Sequence, residues 1–225
     1  MIRCATAISR SRSSHPSSLI LKGAVSMFDA ISAGRLESRS AFAGLLKPVG
    51  TGAGVTVQDR SGLEIVTLAA RKGQEGALAA RMQAAYGLRL PDSPKRVVSG
   101  TLAALGTGPS AWLVTREAGE PNLLVSDLIE AVGTLASVTD QTSGYAVLKV
   151  SGPHVRDMFA KGLDIDLHPR AFAPGDAAVT ACSHIGVTLW QLDETPTYEI
   201  ALFRSMAGSF WHWLSDSAAE FGLAV

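Results

Sequence analysis

Asp140-Gln-Thr-Ser-Gly-Tyr-Ala-Val-Leu-Lys-Val-Ser-Gly-Pro153 (DQTSGYAVLKVSGP) moves from a turn to a strand to a helix start within fourteen residues. Gln141 to Gly144 is turn-forming, and Tyr145 to Val150 is β-branched and aromatic enough for a strand. Ser151 then suits an N-cap, with Pro153 at the first helical position, where its missing N–H does no harm. The helix that follows should turn Val155, Met158 and Phe159 inward and close at Lys161-Gly162. Downstream, an irregular stretch with Pro169, Pro174 and Gly175 leads to three strands: Ala177 to Cys182, Gly186 to Leu192 and Thr197 to Phe203. A last helix, Met206 to Phe221, is expected to be capped by Ser205 and ended by Gly222.

Upstream, the same reading gives a short helix over Ser40 to Leu46, stopped by Pro48. Strands at Val55 to Gln58 and Leu63 to Ala70 turn through Ser61-Gly62. Gln74 to Tyr86 is a helix with Leu78, Met82 and Tyr86 on one side and Gly87 at its end. Two further strands, Thr101 to Leu105 and Ala111 to Thr115, precede a helix from Asn122 to Val132 that Pro121 opens. Leu135 to Thr139 returns as a strand. Strand–helix–strand–strand–helix–strand is the order of a split βαβ unit. The expected fold is therefore α+β, with two split-βαβ-like halves, about 27–140 and 141–225, packed as one unit.

Residues 1–26 stand apart, with Arg3, Arg10, Arg12 and Lys22 but no acid, and serines around His15-Pro16. Such a segment reads as a disordered tail, as a leader ahead of a working start at Met27, or as a targeting peptide. The 225 residues suffice for a real core. Hydrophobic residues make up 47%, charged residues 18%, and the formal net charge is zero, which argues against a free-standing nucleic-acid binder and against disorder. A lightly charged, neutral surface favours life in a complex. No apolar run reaches the ~18 residues of a membrane span. Cys4 and Cys182 are too far apart to suggest a disulfide framework, so a reducing, cytoplasmic setting is expected.

Several clusters resemble chemical sites and fail a test of context. Gly50-Thr-Gly52-Ala-Gly54 precedes a strand rather than a helix, so it reads as a connection and not as a phosphate loop. Cys182 and His184 lack further ligands at metal spacing, and no metal is expected. Asp164, Asp166 and His168 alternate in a proline-flanked segment, where salt bridges or capping are the ordinary roles. No Ser/His/Asp set can be assembled, so no catalytic residue is expected.

Ser209-Phe-Trp-His-Trp-Leu214 brackets a histidine with two indoles. With ~100° per residue on a helix and Phe210 at zero, Leu214, Ser217, Ala218 and Phe221 share its face. Trp211 and Trp213 fall at opposite margins and His212 points away, so the indoles cannot sandwich a ligand. Either both pack in the core, or one anchors a partner. The sharper expectation puts Trp213 inward and Trp211 at the exposed margin, with Trp211 and His212 as partner-interface candidates.

The Asp140–Pro153 segment resembles the start of a repeat in the folate-binding domain of aminomethyltransferases. Gly162-Leu-Asp-Ile-Asp-Leu-His-Pro-Arg-Ala-Phe172, Gly175-Asp-Ala-Ala178, Tyr198-Glu-Ile200 and Ser209–Leu214 together resemble the gamma-subunit family of heterotetrameric sarcosine oxidase. That resemblance implies a non-catalytic subunit, without a cofactor of its own, alongside alpha, beta and delta subunits. Such complexes oxidise the N-methyl group of sarcosine with oxygen and pass the one-carbon unit to tetrahydrofolate. FAD, FMN and NAD belong to alpha and beta, and zinc to delta. Likeness to the folate enzymes makes Asp166 and Glu199 folate-contact candidates, although the glycine-rich approach to the Tyr-Glu-Ile string is here Asp193-Glu-Thr-Pro-Thr197. The alternative is a stand-alone folate-binding transferase-like protein or folate-dependent regulator. A scaffold for an oxidase of another N-methyl amine is a third reading.

Overall fold

Alternate residues of Leu63–Ala70 (β2) point into two different cores, and that alternation defines the layers of the molecule. Leu63 and Ile65 face a second sheet, whereas Val66 and Leu68 face helices. A strand buried on both faces needs apolar residues at nearly every position, as LEIVTLAA supplies. The computed structural model describes residues 39–117 and 123–225, and Arg39–Val225 forms one compact unit. The basic segment 1–26, Cys4, Met27, Pro121 and Asn122 lie outside the described residues.

The elements run β1 (Val55–Asp59), β2, α1 (Glu75–Tyr86), β3 (Arg96–Ser99), β4 (Leu102–Gly108), β5 (Ala111–Glu117), α2 (Leu123–Val132) and β6 (Ala136–Asp140). They continue with β7 (Tyr145–Ser151), α3 (Val155–Phe159), β8 (Ala177–Cys182), β9 (Ile185–Asp193), β10 (Thr197–Phe203), α4 (Ala207–Ala218) and β11 (Leu223–Ala224). One sheet has the order β3-β4-β5-β2-β6 and the other β11-β1-β7-β10-β9-β8. Leu78, Met82, Leu124 and Leu128 of α1 and α2 cover the outer face of the five-stranded sheet. Val155, Met158 and Phe159 of α3 and Phe210, Trp211 and Leu214 of α4 cover the outer face of the six-stranded sheet. The inner faces meet through Leu63, Ile65, Leu105, Leu113, Val147, Trp190 and Ala201. The result is a four-layer α/β/β/α stack.

Two related α+β halves are thus realised as two sheets, with one exchange. β1 comes from the first half but lies between β7 and β11 of the six-stranded sheet. Division by sheet therefore does not fall at 140/141. The parallel β1–β11 pair holds the final strand, and Leu223 exchanges backbone hydrogen bonds with Val49 at 2.8 and 3.0 Å. The glycine cluster belongs to this clasp: Gly54 N–H donates to the Phe221 carbonyl at 3.1 Å, and a Cβ on Gly54 would sit 2.3 Å from that oxygen. Close backbone approach, not phosphate, requires glycine there.

Local expectations fail where side-chain pattern is weak. Residues 41–45 form turns instead of a helix, because Gly44 adopts φ +78° and the Ser40 hydroxyl accepts the Phe42 N–H two residues on. Ser151 ends β7 rather than capping, and the helix beyond Pro153 starts only at Val155. Ser205 lies in a short 3-10 turn (Arg204–Met206), and no side chain caps α4. β3 and β11, four and two residues long, are too short for periodicity to reveal.

Candidate functional site

Between the sheets lies a polar pocket built on Glu199. Alternation along β10 sends Tyr198, Ile200 and Leu202 to the helix-side core and Glu199 and Ala201 to the inter-sheet face. Glu199 faces Trp190 across the β9–β10 ladder and is 4% exposed. Its two oxygens have different partners. The Trp190 indole N–H donates to Oε2 at 2.9 Å, and Arg60 Nε donates to Oε1 at 2.7 Å. Arg60 follows directly on β1, and its guanidinium also binds Glu117 at the end of β5, so one side chain bridges the sheets. Burial works against the Arg60 charge, but the two carboxylates outweigh it and raise its pKa.

Arg96 enters the same space from the start of β3. Burial holds its pKa below the usual guanidinium value, against the pull of Glu199 and Glu117. Its Nε is buried and has no hydrogen-bond partner among the described residues. The cavity that these groups share has a volume of about 250 Å³, with Thr101 and Thr115 completing its polar wall. A carboxylate already tied by two donors is poorly placed as a proton shuttle. The pocket is built to hold charge in place.

Asp166 is not among the residues lining this cavity. It sits beyond α3, exposed, where Oδ1 accepts the His168 N–H at 2.8 Å in a local turn. The two folate-contact candidates are therefore not brought to one cavity. Capping, the ordinary role for the Asp164–His168 run, describes Asp166 well. Cys182 is fully buried, and burial, aided by Asp164, pushes its thiol up to about 12. Ser183 and His184 have φ +48° and +68° and form the two-residue turn between β8 and β9. Among the described residues, no three His, Cys, Asp or Glu side chains converge on a metal position, and no helix is long and apolar enough to cross a membrane.

On α4 the two indoles exchange their expected places. Trp211 is 8% exposed, while Trp213 is half-buried at the margin. Ala207 and Ala218, both buried, fall on the Trp211 side of Phe210 at ~100° per residue, so the buried stripe is turned toward Trp211. Trp213 instead lies over Gly162, where a Cβ would come within 2.8 Å of the indole. It floors an open groove of about 480 Å³ whose rim includes His184, Met206, His212 and Asp216. His212 is exposed as expected, 3.6 Å from the Asp216 carboxylate. Sequence reasoning had no means of finding Arg60, Arg96 and Glu117. Their only signal is a charge at a strand end, which solvent exposure explains equally well.

The model of the sarcosine oxidase gamma subunit family matches residues 71–220. The sarcosine oxidase subunit gamma of Corynebacterium sp. strain U-96 is 34% identical over 149 residues, 64% of this chain and 71% of that protein. That of an Arthrobacter species is 32% identical over 145 residues, 63% of this chain and 70% of that protein. In structure, the chain resembles one in the heterotetrameric sarcosine oxidase from Corynebacterium sp. U-96, solved in complex with pyrrole 2-carboxylate. The TM-score is 0.72 at 30% identity, covering 82% of this chain and 96% of the other. The glycine-cleavage aminomethyltransferase T of Bartonella henselae shares the fold, with a TM-score of 0.56 at 13% identity, over 74% of this chain and 47% of that one. Similarity of this extent, spanning both sheets, places the chain: it belongs to the sarcosine oxidase gamma subunit family.

Proposed function

We propose that this chain is the gamma subunit of a heterotetrameric sarcosine oxidase and serves it as a structural, non-catalytic component. The observation that carries this reading is the match to a chain of that complex over 96% of the other chain's length. In this reading the alpha, beta and delta subunits carry FAD, FMN, NAD and zinc. They perform the oxidative demethylation of sarcosine and deliver the one-carbon unit to tetrahydrofolate, in the cytoplasm. The tied carboxylate of Glu199 supports a structural role for this chain, since both its oxygens already hold donors.

The margin of α4 is the surface that we assign to a partner subunit. His212 and Trp213 stand there, with Met206 beside them in the groove. Affinity purification of the tagged chain with its co-expressed partners should yield a complex with a flavin absorbance spectrum. A monodisperse chain that leaves the flavin-containing subunits behind would sink the proposal. Calorimetric titration of the chain with a reduced folate separates the alternative: saturable heat would make it a folate-binding protein in its own right.

A further inference from the structure

The pocket between the sheets contains four charged groups in unequal states. Arg60 is spent on two carboxylates, and Glu199 is spent on Arg60 and Trp190. Arg96 has a buried Nε with no partner among the described residues. Among the described residues Glu117 binds only Arg60, through Oε1, and its side chain is 60% exposed. Two arginines and two glutamates sum to zero, yet one cation and one carboxylate oxygen remain uncommitted. A half-buried guanidinium whose buried Nε lacks an acceptor is costly, and a planar carboxylate is its best match, through two parallel hydrogen bonds. A simple anion would bring a net negative charge to a pocket that already holds two carboxylates. A zwitterion would not, because its ammonium can meet Glu117 while its carboxylate meets Arg96.

We propose that this inter-sheet cavity binds a small α-amino acid as the zwitterion, with Arg96 receiving the carboxylate and Glu117 the ammonium. Its volume of about 250 Å³ falls just below the ~300–1,000 Å³ of pockets for drug-sized ligands, which restricts the occupant to a short or absent side chain. Thr101 and Thr115 supply neutral hydrogen-bonding groups on the wall, and Leu63, Leu102 and Ala103 supply its apolar part. The residues that form it are all this chain's own, and the assignment does not rest on the proposed role in an oxidase complex.

Equilibrium dialysis of the purified full-length chain with labelled glycine tests the assignment, with acetate and methylamine as the two half-ligands. Glycine should bind saturably at one site, and each half-ligand should bind about tenfold or more weakly, since each forgoes one charge-assisted contact. Arg96→Met should abolish glycine binding. Glu117→Gln should weaken glycine while leaving acetate unchanged. If Arg96→Met does not fold, Arg96→Lys keeps the charge but loses the fork, and should weaken glycine by about tenfold. In the assembled complex, the Arg96 substitutions should remove one equivalent of bound glycine and leave any other equivalents in place. No saturable glycine binding at tens of millimolar would overturn the proposal. So would acetate binding as tight as glycine, which would mark an anion site only, or glycine binding indifferent to both Arg96 and Glu117.

Discussion

Glu199 has one donor on each oxygen, Arg60 on Oε1 and Trp190 on Oε2. Glu199→Ala would leave the Trp190 N–H without an acceptor and the Arg60 charge to Glu117 alone. Orphaning a buried donor costs ~1–3 kcal/mol, so the urea midpoint of that variant should fall. Glu199→Leu should recover little, because the Arg60 charge would remain. The thiol of Cys182 offers a second test, in pH. Burial keeps it protonated up to about 12, whereas the unfolded thiol ionises near its ordinary value of 9.0. Its contribution to stability is full below pH ~9 and is lost as pH rises toward 12. Denaturation measured across that range should show a decline that Cys182→Ala flattens. At this scale the sequence was partly legible. The inward position of Glu199 follows from strand alternation, but its partner Arg60 is 139 residues away. Nothing in local pattern encodes that pairing.

Among the elements, α2 shows how strand and helix are tied together. Glu64 of β2 is 2% exposed, and its Oε1 accepts the Leu124 N–H at 2.9 Å, in the first turn of α2. Its Oε2 accepts Arg116 Nε at 2.7 Å, and Arg116 reaches Asp127 of the same helix at 2.8 Å. A carboxylate from the sheet thus caps the helix and complements its dipole. Glu64→Ala should cost ~1–3 kcal/mol by orphaning that N–H and leaving the guanidinium to Asp127 alone, with hydrogen exchange quickening first in α2. The α4 indoles separate folding from assembly. Trp211→Ala should lose ~3–5 kcal/mol of chain stability as a buried aromatic truncation. Trp213→Ala should cost less stability and lower the yield of complex in co-purification. Equal losses from both variants in both assays would make the pair plain core packing. Helices and long strands were readable because they bury one or both faces periodically. The order of the two indoles was not readable, because both sit at margins of a broad apolar stripe and its rotation in the core decides between them.

The whole molecule closes through its last residues. Leu223 is 1% exposed, bonds to Val49 and pairs with Val55 of β1. Leu223→Ala should cost ~2–5 kcal/mol and loosen β1, which exchange at the Val55 amide can follow. The general α+β character was legible from the order of elements. Face-to-face stacking of the sheets was not, since period alone cannot say which face of a two-sided strand meets which layer. One consequence concerns the order in which the chain is made. All strands of the five-stranded sheet lie between residues 63 and 140, so that sheet and its two helices can assemble while the remainder is still being synthesised. β1 emerges earlier but has no strand beside it until β7 appears, and its outer neighbour β11 is not available until residue 224. Meanwhile Leu63, Ile65, Leu105 and Leu113 present an apolar face that Trp190 and Ala201 cover only once β9 and β10 have been made. The nascent chain therefore exposes that apolar face from the synthesis of Leu113 until that of Trp190, the interval in which it is most open to aggregation.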